Sequence, residues 1–339
     1  MKLLTVSEQD AGQRLDKYLN RYLAQAPKGF LYKMMRKKNI TLNERKCEGP
    51  EKLLAGDEIR LFFSEETLKK FQGKSLSEAA AAESWDPKRI LYEDEHILLF
   101  NKPAGMLSQK AKESDVSAVE YVLAYLRETG SLTGEAYLRF HPSVCNRLDR
   151  NTSGLLIVGK SMAGLQAMSS LLKDRSLHKD YLCFVIGHIR EGRHIRGWLC
   201  KEESKNQVRI YKEERPGSLP VETWYTPLTV LGSGDTRRTL LQVRLVTGRS
   251  HQIRAHLASI GCPVIGDYKY GDRKINDFYK RELGISHQLL HAWRLRLKTV
   301  EGTLSYLSNR EFTAPEPESF ERVRQMQGFA QAKKRSGEG

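Results

Sequence analysis

Residues 143–161, SVCNRLDRNTSGLLIVGKS, hold a single acidic residue, Asp149, between Arg147 and Arg150, just ahead of an apolar run. The loop 146–153 leads through Gly154 into a predicted strand, LLIVGK, so the polar cluster sits at a sheet end where a rigid scaffold can present it. A carboxylate there can be a nucleophile or a general base, and neighbouring arginines keep it ionised by favouring the charged form. It can equally do no more than pair with Arg147 or Arg150 and hold the loop. The loop alone leaves both open.

A second cluster lies in LVTGRSHQIRAHLASIGCPVIGDYKYG. It is expected to run as a strand, a turn at Gly248, and a helix over about 250–260 stopped by Gly261 and Pro263. Ile253, Leu257 and Ile260 then share one face, with Arg254 at its flank beside His251 and Ala258. From the edge of a buried face an arginine can reach a carboxylate and still touch the core, although a surface position is the commoner fate of a helical arginine.

Other chemistries find less support. His251 and His256 are five apart, off the i, i+4 register of a helical metal site, and Cys47, Cys145, Cys183, Cys200 and Cys262 form no C-x-x-C pair. They are expected to be reduced thiols, with neither a disulfide framework nor a metal or other cofactor. Lys plus Arg (56) exceeds Asp plus Glu (41), for a net charge of +15 and a pI of about 9.5. Such a field favours a polyanionic partner, RNA or DNA ahead of a membrane surface. No apolar stretch approaches the ~20 residues of a membrane span, and MKLLTVSEQDAGQRLDK has no apolar signal core, so a cytoplasmic protein, working as a monomer, is expected.

The elements that must position these residues fall into segments. In residues 1–63, Leu15, Tyr18, Leu19 and Tyr22 have helical spacing, a second short helix carries Lys33, Arg36, Lys37 and Lys38, and NITLNERKC and DEIRLFF are predicted strands. The four cations beside a small hairpin make a compact basic surface, or an ordinary solvated helix face. Residues 64–86 are expected to be a linker whose alanines form at most a transient helix. A second domain spans 87–315, with strands at ILLF, GLLIVGK, KDYLCFVIGHI, ETWYTPLTVL and TLLQVRLVTG, and helices at SAVEYVLAYLRET and SMAGLQAMSSLLKD, the latter N-capped by Ser161. Strands interleaved irregularly with helices imply a mixed α+β domain. Residues 316–339 are expected to form a short helix and a basic tail.

The blocks NRLDRNTSGLLIVGKS, HKDYLCFVIG and TGRSHQIRAHLASIGCPVIGDYKYG, in this order, resemble the signature blocks of the pseudouridine synthases of the RluA type. YEDEHILLFNKPAGML and LLHAWRLRL resemble further blocks, so the likeness runs over residues 88–315. Residues 1–63 resemble the small RNA-binding domain first seen in ribosomal small-subunit protein four, through RLDKYL, PKGFLYKMMRKKNITLNERK and LLAGDEIRL, which implies RNA as partner. The resemblance implies a mixed, largely antiparallel catalytic sheet preceded by a small α/β RNA-binding domain. It also implies that uridine, most often in ribosomal RNA, is isomerised to pseudouridine without a cofactor. By the same resemblance Asp149 is the catalytic aspartate, Arg254 its basic partner, Tyr181 the ring packed on the flipped base, and Arg147 the arginine that enters the RNA stack. Leu289 or Leu290 makes the apolar contact to the base. Whether Asp149 attacks ribose or base ring, or acts as a base on the ribose, stays open. The chain departs from the family at Asn146, where histidine is usual; asparagine still donates and accepts a hydrogen bond but does not titrate. The competing reading is a non-catalytic RNA-binding factor for ribosome assembly, or an RNA chaperone, with Asn146 its one support.

Overall fold

Leu15, Tyr18, Leu19 and Tyr22 all turn to one face of α1 (Leu15–Tyr22) and are buried in the computed structural model, which describes residues 1–79, 85–202, 207–234 and 237–326. With α2 (Lys28–Arg36) this helix covers a four-stranded antiparallel sheet of β1 (Lys2–Thr5), β2 (Ile40–Leu42), β3 (Arg45–Lys46) and β4 (Glu58–Leu61), in the order β1-β4-β2-β3. The β2–β3 hairpin turns at Asn43 and Glu44, both with positive φ, as a two-residue turn matched to strand twist requires. Lys33, Arg36, Lys37 and Lys38 are exposed at the C-terminal end of α2 and just beyond it.

Within 64–86 the chain forms α3 (Glu65–Phe71) and α4 (Leu76–Ala79). Phe71 lies 4.9 Å from the Phe30 ring, and Leu76 packs with Leu123, Ala124 and Tyr137. This segment is therefore partly helical and anchored by large apolar side chains on both helices. The alanine run expected to be transiently helical falls mostly on residues 80–84, outside the described residues.

The larger sheet is built from β5 (Ile90–Glu93), β6 (Ile97–Lys102), β7 (Ser143–Val144), β8 (Ser153–Gly159), β9 (Leu177–Ile186), β10 (Arg193–Glu202), β11 (Gln207–Tyr211), β12 (Leu219–Leu231), β13 (Arg238–Leu245), β14 (Leu290–Leu297) and β15 (Glu311–Thr313). Its order is β11-β10-β12-β13-β9-β14-β8-β6-β5, with β15 on β14 and β7 on β8. Every pairing is antiparallel except β8 with β14, so the expected mixed, largely antiparallel α+β architecture is the one observed. Between the strands run α5 (Ala118–Glu128), α6 (Gly134–Arg139), α7 (Met162–Lys173), α8 (Gln252–Ser259) and α9 (Arg273–Leu283). Ser161 caps α7 as expected, its Oγ accepting from Gly164 N–H.

One face of the sheet packs Leu182 and Phe184 with Tyr279, Ile285, Phe320 and Val323, under α9 and α10 (Glu318–Gln325). Buried Arg238 on β13 donates to the Val323 and Met326 carbonyls, satisfying the last turn of α10. The first part of the expected tail is thus a docked helix; residues 327–339 lie outside the described residues. Ile260 is a correction. Placed on the buried face of α8, it is instead exposed, because the helix ends at Ser259 and Gly261 turns left-handed (φ +78°) towards Pro263.

Candidate active site

The loop between β7 and β8 is pinned from several sides. Asn146 Oδ1 accepts from Ile157 N–H (2.8 Å), and Cys145 N–H donates to the Ile157 carbonyl (2.7 Å). Ser108 Oγ brackets Leu148, accepting from its N–H and donating to its carbonyl. Below the loop, fully buried Lys102 donates from Nζ to the carbonyls of Pro103, Met106 and Arg150 at 2.8–3.0 Å. Burial pulls this ammonium down to about 7, opposed by the charge of Asp149. Gly154 follows with φ +106°; a β-carbon there would lie 2.2 Å from the Ala292 carbonyl oxygen, so only glycine lets β8 pass this close to β14.

The pinned loop presents Asp149 to α8. Arg254 donates from Nη1 to Asp149 Oδ2 (2.9 Å) and, in a fork, from Nε and Nη2 to Asp267 Oδ2 and Oδ1 (2.6 and 2.8 Å). The Asp267 side chain is wholly buried and that of Asp149 a quarter exposed. Burial works against the Arg254 charge, but Asp267 and then Asp149 outweigh it and raise its pKa further. Asp149 Oδ1 accepts no protein hydrogen bond among the described residues. The Tyr270 ring lies under the Arg254 guanidinium, 5.1 Å away, and His251 Nε2 approaches Asp149 Oδ2 at 3.9 Å.

Tyr181, on β9, is buried beside this cluster, and burial together with the Asp149 charge raises its hydroxyl pKa, so it stays a neutral phenol. Arg147, Asp149, Tyr181, Arg254 and Leu290 line one cleft of about 890 Å³. Asp149 is its one acidic residue among the described residues; Lys110, Arg150, Lys173, Arg175, Lys179, Arg244 and Arg249 add positive charge. Leu289 is not brought to the cleft. Alternation along the chain turns it to the opposite face, against Leu182, Phe184 and Phe320, so of the two leucines it is Leu290 that faces Asp149. Lys33, Arg36, Lys37 and Lys38 do not line the cleft either.

Asp267, Tyr270 and Lys102 also belong to the site without having been expected there, and His251, considered only as a metal ligand, joins them. The available signal was the segment GDYKYG: Gly266 has φ +80°, and a β-carbon there would meet the His287 carbonyl at 2.2 Å, which marks a tightly packed turn. No group of three or more His, Cys, Asp or Glu side chains forms a metal site among the described residues.

The family model for RNA pseudouridylate synthase matches residues 96–259, which include Asp149, Tyr181 and Arg254. The ribosomal large subunit pseudouridine synthase C of Haemophilus influenzae is 32% identical over 306 residues, covering 88% of this chain and 87% of that protein. Its namesake from Escherichia coli K12 is 30% identical over 310 residues, covering 89% and 90%. Among solved structures, human RNA pseudouridylate synthase domain containing 4 superposes with a TM-score of 0.53 at 19% identity, over 75% of this chain and 98% of that one. That likeness is one of fold. With Asp149, Tyr181 and Arg254 gathered on one cleft and relatives matched over most of their length, this chain belongs to the RNA pseudouridylate synthase family and is an isomerase.

Proposed function

We propose that the chain isomerises uridines of ribosomal RNA, with Asp149 as the reacting carboxylate and Arg254 as the cation that pairs with it and orients it. The relatives' names supply the ribosomal target; the charge of +15 suits it. The reaction breaks the bond from ribose to N1 of uracil, rotates the base and joins ribose to C5, which loses its proton while N1 gains one. Tyr181 and Leu290 wall the flipped base, and Arg147, exposed on the loop, fills the gap it leaves. Extrusion costs a few kcal/mol, offset by phosphate contacts along the basic rim. The observation that carries this reading is the meeting of a carboxylate, a clamped arginine, a buried phenol and a leucine on a cleft otherwise positively charged.

Residues 1–63 act as an RNA-binding domain of the type found in ribosomal small-subunit protein four, with Lys33, Arg36, Lys37 and Lys38 on phosphates. Residues 64–86 join it to a catalytic domain over 87–315, followed by the tail 316–339, and the enzyme works as a cytoplasmic monomer. No described helix is long and apolar enough to cross a membrane.

The test is a map of pseudouridines in ribosomal RNA from cells with and without the gene, complemented by wild type, Asp149→Ala or Asp149→Asn. Wild type restores every lost position and neither variant restores any. A deletion strain with an unchanged map overturns the reading, and full modification by Asp149→Asn removes Asp149 from the reacting role.

A further inference from the structure

His251 lines the cleft in a left-handed backbone conformation, φ 55° and ψ 13°, which is uncommon for residues other than glycine although histidine enters it more readily than most. It stands at the N-terminal cap of α8, yet its side chain caps nothing. Gln252 Oε1 ties the turn instead, accepting from Arg249 N–H (3.1 Å) and Thr247 Oγ1 (2.8 Å). The imidazole lies between Tyr270 and Asp149. Its Nδ1 is 2.9 Å from Tyr270 Oη, and that oxygen already accepts from Val208 N–H (2.9 Å). When the phenol donates its proton to Nδ1, a neutral His251 carries its own proton on Nε2.

That Nε2 faces Asp149 Oδ2 across 3.9 Å, too far for a direct hydrogen bond. A hydroxyl oxygen about 2.8 Å from both atoms fits the gap, accepting from Nε2–H and donating to Oδ2. Burial lowers the imidazole pKa, with Asp149 opposing, Arg254 and Lys269 reinforcing and Asp267 opposing. We propose that His251 is a hydrogen-bond donor to the reacting nucleotide: its Nε2–H holds a ribose hydroxyl of the flipped uridine, which in turn donates to Asp149, and the left-handed backbone persists because it aims the ring there. This rests on the reading of Asp149 as the reacting carboxylate.

The test is single-turnover isomerisation of ribosomal RNA isolated from cells lacking the gene, with excess wild type, His251→Ala, His251→Gln, His251→Gly and Asp149→Asn. His251→Ala slows the chemical step about 10- to 100-fold, the scale of one lost donor in a preorganised site, while RNA affinity stays within about twofold. His251→Gln, which keeps an N–H, recovers part of the rate. His251→Gly relieves the left-handed strain, so it melts no lower than wild type and is still slow. Wild-type rates in His251→Ala and His251→Gly overturn the proposal. So does a rate loss that Gln does not rescue and that tracks falling melting temperature and RNA affinity, which marks a structural role. The two readings fail separately: an active Asp149→Asn sinks the assignment of Asp149, whereas an inactive Asp149→Asn beside a fully active His251→Ala sinks only the role of His251.

Discussion

Arg254 serves two carboxylates, and its geometry divides their tasks. Asp267 takes the fork through Nε and Nη2, while Asp149 takes Nη1 alone. One cation between two anions leaves one net negative charge, presented at Asp149, the more exposed of the two. Planar, bidentate donation of this kind belongs to arginine and not to lysine. Asp267→Asn is therefore expected to release Arg254 from its fixed angle and to break a buried pair, at about 3–5 kcal/mol. A lower melting temperature with a kcat about tenfold down and RNA affinity unchanged is the expected outcome; a full kcat removes Asp267 from the positioning role. In the sequence, Asp149 and Arg254 stood out through the types of their neighbours and through resemblance, whereas Asp267 did not. It lies 13 residues beyond Arg254, past the end of the helix, and no periodicity links the two. Asn146 was legible as a departure but not as a solution: its Oδ1 bond to Ile157 N–H is a loop-holding task that needs no titrating group.

Two buried histidines tie together the elements that carry the site. His291 on β14 bonds through Nδ1 to Ser153 Oγ on β8 (2.9 Å), and His256 on α8 bonds through Nδ1 to Thr223 Oγ1 on β12 (2.9 Å). Burial pushes both imidazoles down to about 4 from an ordinary 6.5. Between those values the unfolded chain takes up a proton that the native state refuses. Stability from each is thus fully present above pH 6.5 and is lost as pH falls towards 4, by up to about 3 kcal/mol apiece. Urea midpoints are expected to drop across that window, and a His256→Asn, His291→Asn double variant to show a shallower drop; equal slopes in both proteins refute this. Strands β8 and β9 were legible because their apolar runs, LLIV and YLCFVI, are continuous. The β8–β14 contact was not, since its partners are 138 residues apart. Helix α9 went unread although Asp272 caps it and Gly284 ends it left-handed, because Ile275, Phe278 and Tyr279 are interleaved with charges in RKINDFYKREL.

At the scale of the molecule, within the excess of 15 positive charges, two groups of cations stand out. One is the cleft rim, where Lys110, Arg147, Arg150, Lys173, Arg175, Lys179, Arg244 and Arg249 surround the one carboxylate found there among the described residues. The other is the end of α2, where Lys33, Arg36, Lys37 and Lys38 are all exposed. Both follow from composition only as an excess; their separation required the fold. Deleting residues 1–63 would uncover Phe71 and Leu68, which pack on that unit, so a surface variant isolates electrostatics better. Each cation on a phosphate releases a counterion and contributes about 0.7–0.9 to the slope of log K against log salt. Replacing all four with alanine is expected to weaken binding to ribosomal RNA at low salt and to flatten the slope by about 3 if every one makes a contact. Because the proposed uridine chemistry lies at the cleft, kcat at saturating RNA should stay near wild type while KM rises. An unchanged slope across a salt series would refute a phosphate-gripping role for α2 and leave the rim of the cleft as the molecule's main RNA contact.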